Sequence, residues 1–87
     1  MKLYQRENLI FEKIGEEILI IDHKKGHLIT LNRTASFLWK SLIAPISLKN
    51  LVSLYLEKFG QDKKEDASKG IKDLNKAGVV RLVWKTK

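Results

Sequence analysis

The stretch that decides the fold runs from residue 22 to residue 39 and reads DHKKGHLITLNRTASFLW. Its polar start ends at Gly26, which is typical of a tight turn, and the segment His27–Leu31 that follows the glycine predicts a short strand. Asn32 follows that strand, and its side chain can accept a hydrogen bond from a free amide in the first turn of a helix. The stretch therefore predicts a turn, a strand and a helix that follow one another without a linker.

Two further strands are predicted upstream of this junction. Residues 9–14 are mostly apolar and end at Gly15, and residues 18–21 form an apolar run that is too short for a helix. Such a continuous run predicts a strand that is covered on both faces. Because Gly15 and Gly26 keep the links short, we expect an antiparallel meander in which His27–Leu31 lies at the edge of the sheet.

Two helices are predicted from apolar residues at helical spacing. The first follows Asn32 and ends before Pro45, because proline disfavours the α conformation of the residue that precedes it. The second begins after Ser47, a favourable cap, carries one broad apolar face and ends at Gly60. Both helices are amphipathic, so they can cover one sheet.

A third helix is predicted from about Lys63 to Gly78, and residues 79–84 form either a short strand or a packed tail. Residues 1–87 thus make a single domain of the α+β class, a three-stranded antiparallel sheet followed by three helices. This order resembles a winged helix whose sheet has moved to the front. Trp39 lies on the apolar face of the first helix and is expected in the core, whereas the place of Trp84 stays open between packing and exposure.

Composition narrows the classes of function. The chain has no cysteine, which excludes disulfides and thiolate metal sites. The N-terminal residues lack the apolar segment of a signal peptide, and the longest apolar run, residues 18–21, is far too short to span a bilayer. We expect a cytoplasmic protein with no membrane partner.

The net charge of +7 leaves two interpretations. Excess positive charge favours an anionic partner, but 14 of the 17 basic residues are lysine, which is also typical of a surface kept soluble by charge. A winged-helix DNA-binding protein is the alternative, with lysines of the third helix on phosphates. Gly70 inside that helix and the lack of base-reading side chains weigh against it, so nucleic acid is not the expected partner. The lysines concerned are Lys63, Lys64, Lys69, Lys72 and Lys76.

The sequence does not predict catalysis. His23 and His27 are the two histidines, and neither lies in a nucleophile motif or beside further strong metal donors. Adjacent carboxylates such as Glu16 and Glu17 diverge on a strand or a helix, and no glycine-rich phosphate loop is present. We therefore expect no catalytic residues, no metal and no cofactor.

Two motifs resemble a known family. They are Leu31-Asn32-x-Thr34-Ala35-x-x-Leu38-Trp39, and Asp66-Ala67 with Ile71, Leu74, Gly78 and Val79 at fixed offsets. In order and separation they resemble the PqqD-like family, the RiPP recognition elements, which bind leader segments of ribosomally made peptides. The resemblance covers the chain from about Leu9 to Val80.

The resemblance implies both a fold and a site. Family members have a three-stranded antiparallel sheet on three helices and bind the leader as an added strand beside the third strand, with leader side chains entering a groove along the third helix. Gly70 departs from the larger apolar residue usual in the family. It either opens a pocket for a bulky leader side chain, which Gly70→Leu would fill, or only loosens the helix. The resemblance assigns the edge to His27, Leu28, Ile29, Thr30 and Leu31, the groove to Ala67, Gly70, Ile71 and Leu74, and charge pairing to Asp66 or Lys69.

The function implied is a non-catalytic adaptor that presents a leader to a separate modifying enzyme or leader peptidase. A lasso-peptide pathway is favoured over one in which a radical enzyme builds a quinone cofactor. A third option is a structural subunit that docks permanently on one enzyme through the same free edge. A free edge can also pair with a second copy of the chain. Truncating Ile71 or Leu74 is expected to weaken leader binding.

Overall fold

The computed structural model describes residues 2–7 and 9–83. It confirms the predicted α+β class with antiparallel sheets and three helices, but it adds three strands to the predicted order. The elements are β1 Lys2–Gln5, β2 Ile10–Ile14, β3 Glu17–Asp22, β4 His27–Leu31, α1 Arg33–Lys40, β5 Ile46–Ser47, α2 Leu48–Phe59, α3 Lys64–Ala77 and β6 Val80–Val83.

The predicted meander is present as the sheet β2-β3-β4, with antiparallel pairing throughout. Gly15 and Gly26 adopt φ values of 63° and 66°, a left-handed conformation that glycine reaches without steric cost, and so allow the two tight turns. β4 pairs with β3 on one side, and no described strand pairs with its other edge. The prediction that His27–Leu31 forms an edge strand is thus confirmed.

The prediction that residues 18–21 are covered on both faces was wrong. Along β3, Ile18 and Ile20 are buried, whereas Leu19 and Ile21, which alternate with them, are only half-buried. The helices pack against the face that carries Ile18 and Ile20, so the opposite face stays largely open. Apolar content alone does not separate a strand covered on both faces from one covered on a single face.

A second sheet, β5-β1-β6, was missed by the sequence analysis. β1 pairs antiparallel with both neighbours, and Leu3 opposite Ile46 is fully buried. Strands of two and four residues are too short to show a readable period, and their pairing joins distant parts of the chain. The structure resolves the open choice for residues 80–83 in favour of a strand, while Trp84 lies outside the described residues.

α1 ends at Lys40, four residues earlier than the predicted stop before Pro45. The amide of Leu42 donates to the carbonyl of Trp39 over 3.1 Å, which tightens the last turn and redirects the chain. Leu42 is nevertheless buried, so its helical spacing from Trp39 reflected a core position rather than continued helix.

The predicted helix caps are confirmed. The side chains of Asn32 and Ser47 each accept a hydrogen bond from the amide three residues further on, over 2.9 and 3.1 Å. Gly60 and Gly78 follow α2 and α3 with φ values of 127° and 77°. These caps fix where α1 leaves the sheet and where α3 turns into β6.

The core joins both sheets to the three helices. Trp39 is 1% exposed, its ring meets Phe11 edge-on at 5.0 Å, and its Nε1 donates to the Val79 carbonyl over 3.0 Å. The predicted core position of Trp39 is therefore confirmed. Fully buried aliphatic side chains around it come from every layer: Leu3, Ile20, Leu38, Leu51 and Leu74.

Arg6 links three separate segments, a contact that sequence reasoning did not anticipate. Its guanidinium donates to Asp22 over 2.7 Å and to the carbonyl of Gly78 over 2.9 Å. Burial on its own would raise the pKa of the Asp22 carboxyl. The hydrogen bond and charge of Arg6, with the amides of Lys25 and Lys24, outweigh it and hold that pKa below its ordinary value.

Candidate peptide-binding groove

A shallow groove runs between β4, the start of α1 and the exposed side of α3, and we refer to it as the β4–α3 groove. It consists of two adjoining depressions with volumes of about 210 and 190 Å³. Asn32, Ala35 and Asp73 line both depressions, which makes them one continuous feature. The remaining lining residues are Ile29, Thr30, Leu31, Leu74 and Ala77 at one end, and Thr34, Tyr55, Asp66, Lys69 and Gly70 at the other.

The pairing register shows which side chains of β4 face the core. Ile29 lies opposite the buried Ile20, and Leu31 lies opposite the buried Ile18, so these two point to the core face beside the groove. Leu28 and Thr30 alternate with them and point to the other face, where Leu28 is 70% exposed. The sequence alone had left this choice open.

α3 contributes an apolar wall and a charged rim. Leu74 is 1% exposed and lies at the base of the groove, whereas Asp66, Lys69 and Asp73 are exposed above it. Lys69 Nζ lies 3.4 Å from Asp73 Oδ2, an exposed pair that contributes little stability. The rim can therefore exchange this internal pair for a charged group on a bound peptide.

Two residues predicted for the groove lie deeper than expected. Ala67 is fully buried, and Ile71 is 9% exposed within the same core cluster as Leu74. Truncating Ile71 removes core packing, so such a variant reports on stability as well as on binding. The role of both residues in binding stays a prediction.

Gly70 is explained by helix packing rather than by an open pocket. A Cβ atom at this position would lie 2.7 Å from Cδ1 of Leu38, a fully buried side chain of α1. The glycine thus lets α3 approach α1 closely while its backbone lines the groove. A leucine here would press into the core, contrary to the expectation that it would fill the groove.

The groove also includes residues that the site prediction omitted. Asn32 and Ala35 were recognised from sequence as part of the helix start and of the family motif, but not as part of the groove. Asp73 and Ala77 lie on the same face of α3 as Asp66 and Gly70, at successive spacings of three and four residues, a signal that helical spacing could have supplied. Thr34 belongs to the same motif and lies beside Ala35, whereas Tyr55 of α2 reaches the groove through tertiary packing, which the local sequence does not encode.

Other candidate chemistry is sparse in the described part of the chain. His23 and His27 are exposed at the β3–β4 turn, and residues 2–7 and 9–83 bring together no group of three or more His, Cys, Asp or Glu suited to a metal. Within the same ranges, no helix is both long and apolar enough to cross a membrane. Along α3, three acidic residues interrupt the four lysines, which does not favour DNA binding.

Comparison with known sequences identifies the family. The model of the family described as Coenzyme PQQ synthesis protein D (PqqD) matches residues 17–80. This chain belongs to the PqqD family. No curated protein matches the chain significantly. The match begins at β3 and ends at the first residue of β6, so it includes β4, α3 and the whole β4–α3 groove.

A solved structure shares the PqqD-type fold of this chain. It is described as TbiB1 in complex with the TbiA(beta) leader peptide, and it superposes with a TM-score of 0.75. The alignment covers 94% of this chain and 99% of that chain at 12% sequence identity. At this low identity the likeness establishes the fold alone.

Proposed function

We propose that this chain is a non-catalytic adaptor that binds the leader segment of a ribosomally made precursor peptide and presents it to a separate enzyme. The observation that carries this proposal is the open edge of β4 beside the β4–α3 groove. The leader would add to β4 as a further strand. Its alternate side chains would enter the groove beside Ile29, Ala35 and Leu74.

The physics of strand addition suits this arrangement. Every second residue of an edge strand directs an unpaired amide and carbonyl outward, and a guest strand satisfies them with little regard to its sequence. Selectivity then depends on the side chains that the groove accepts. Ile29 and Leu74 provide an apolar surface, and Asp66, Lys69 and Asp73 provide charges on the rim.

The comparisons support the proposal. The chain is a PqqD-family member, and the protein whose fold it shares, TbiB1, was solved with a leader peptide. By analogy we propose a modifying enzyme or a leader peptidase as the second partner. A lasso-peptide pathway and a location in the cytoplasm are part of the same proposal.

The experiment is a calorimetric titration of the protein with the leader of the precursor that is encoded beside it. Two further leader peptides carry N-methyl groups, one on the odd and one on the even amides of the binding segment. Strand addition predicts micromolar or tighter binding by the unmodified leader. One of the two N-methylated peptides should lose most of the affinity and the other should keep it, because only alternate amides of the leader face β4.

A scrambled leader of the same composition serves as the control for charge. Equal loss in both methylated series would contradict strand addition, and no binding by the unmodified leader to folded protein would contradict leader capture. Binding to duplex DNA that falls steeply with salt, together with no leader binding, would favour the winged-helix alternative.

A further inference from the structure

The face of the sheet β2-β3-β4 that points away from the helices, which we call the outer face, is mainly apolar. The pairing register places Ile10, Ile21 and Leu28 in one row across the three strands, because paired residues point to the same side. Leu19 lies next to this row, and Ile14 lies at the far end of β2. Five aliphatic side chains therefore share one surface.

These side chains are unusually accessible. Ile10 is 52% exposed, Ile14 is 58% exposed and Leu28 is 70% exposed. They account for half of the six exposed large apolar side chains in the described part of the chain. Scattered exposed apolar residues are ordinary, but a concentration on one sheet face marks an interaction surface.

The outer face carries acidic side chains, whereas the whole chain is basic. Glu12, opposite Leu19, and Glu17, opposite Ile14, are the charged side chains that the register places on it, and both are exposed. The chain as a whole carries a net charge of +7. The surface is thus apolar and acidic within a basic protein, which selects a partner with apolar side chains flanked by lysine or arginine.

We propose that the outer face is the docking surface for the enzyme that acts on the bound precursor, and that this enzyme presents apolar side chains and at least one Lys or Arg opposite Glu12 and Glu17. This inference rests on the proposed adaptor function. It assigns the enzyme to a surface other than the β4–α3 groove. The leader and the enzyme can then bind at the same time.

The geometry of β4 connects the two surfaces. Ile29 and Leu31 point toward the core face beside the groove, while Leu28 and Thr30 point to the outer face. A leader strand added along β4 would likewise direct every second side chain outward, beside Leu28 and Thr30. An enzyme on the outer face would therefore contact the leader directly and sense whether a precursor is loaded.

The size and charge of the outer face favour this partner over a second copy of the chain. Three strands of about five residues span roughly 10 by 17 Å, which suits a weak and reversible contact better than a permanent dimer. In a symmetric pair, the same surface meets itself, so two acidic faces on two strongly basic chains would come together. A reversible contact also suits an adaptor that is used repeatedly.

The test measures two affinities for each variant. Ile10→Ser combined with Ile14→Ser removes apolar contact from the outer face, Glu12→Lys reverses its central charge, and Ile43→Ser is the control. Ile43 is 85% exposed and lies in the segment between α1 and β5, outside this sheet. The probes are the leader peptide and the purified enzyme that modifies or cleaves the neighbouring precursor, each titrated by calorimetry.

We expect the double variant and Glu12→Lys to bind the enzyme at least tenfold more weakly than the unmodified protein does. Their affinity for the leader should stay within twofold of that of the unmodified protein. Ile43→Ser should change neither affinity. Unchanged enzyme affinity in both outer-face variants would overturn the docking surface and leave leader capture intact. Absence of leader binding by the unmodified protein would instead overturn the proposed function. A concentration-dependent dimer that the double variant dissociates would assign the face to a second copy and also overturn the inference.

Discussion

Filling the β4–α3 groove from one side should weaken leader binding without unfolding the protein. Ala35 is the residue to change, because it lines both depressions and is only half-buried at the start of α1. Ala35→Leu adds three carbon atoms where a leader side chain would lie. Leucine and alanine both favour helices, so the substitution itself costs α1 little.

The size of the effect follows from the burial that the leader loses. Full burial of a side chain the size of leucine stabilises a complex by about 1.5–3 kcal/mol, and each 1.4 kcal/mol corresponds to a factor of ten in Kd. If the added carbons exclude one such side chain, Kd should rise roughly 10- to 150-fold. The backbone hydrogen bonds along β4 would remain, so residual binding is expected.

The assay is calorimetric titration of the leader at fixed salt, with urea denaturation of each variant to measure the free energy of unfolding. Ala44→Leu is the matched control, since Ala44 is exposed in the segment that follows α1. A change in Kd of less than threefold for Ala35→Leu, in a protein as stable as the unmodified one, would refute leader binding in this groove. The same loss for Ala44→Leu would show that the effect is not local.

Two further predictions concern stability. Gly70→Leu should lower the free energy of unfolding by about 1–3 kcal/mol, because the new leucine side chain would press against Leu38. Ser68→Leu, on the exposed side of α3, is the control and should not lower it. Equal urea midpoints for the two variants would contradict the close approach of the helices. Asp22→Asn should flatten the fall in stability between about pH 5 and pH 2. Folding lowers the pKa of the Asp22 carboxyl, so the ionised group stabilises the fold at pH values above its unfolded pKa of 3.8. That stabilisation is lost as the carboxyl is protonated at lower pH, and the variant has no such group to protonate. Parallel curves for the variant and the unmodified protein would contradict the pairing with Arg6.

The sequence predicted the features that depend on neighbouring residues. Asn32 caps α1, Gly26 permits the turn before β4, and Gly78 ends α3, because each acts on backbone within one or two turns of itself. The family motifs around Asn32 and Asp66 were likewise local patterns. Their order along the chain was enough to predict the family, which the match over residues 17–80 confirms.

Features that depend on distant residues escaped prediction. β1 becomes a strand only because β5 and β6 approach from far along the chain, and Arg6 finds Asp22 and Gly78 only after folding. In the groove, the same limit explains why Gly70 was interpreted as an opening, since the neighbouring Leu38 belongs to another helix. The end of α1 at Lys40 was obscured because Leu42 is buried without being helical.

The pairing of β1 with β6 has a consequence for modular use of the domain. Lys2 and Val83 are register partners, so their Cα atoms lie about 5 Å apart at one end of the second sheet. Points of entry and exit this close allow a domain to be inserted into a surface loop of another protein, or circularly permuted, with little distortion of either partner. β4 and α3 lie outside the β1–β6 pair, so a larger protein could carry this module in one polypeptide with the β4–α3 groove intact.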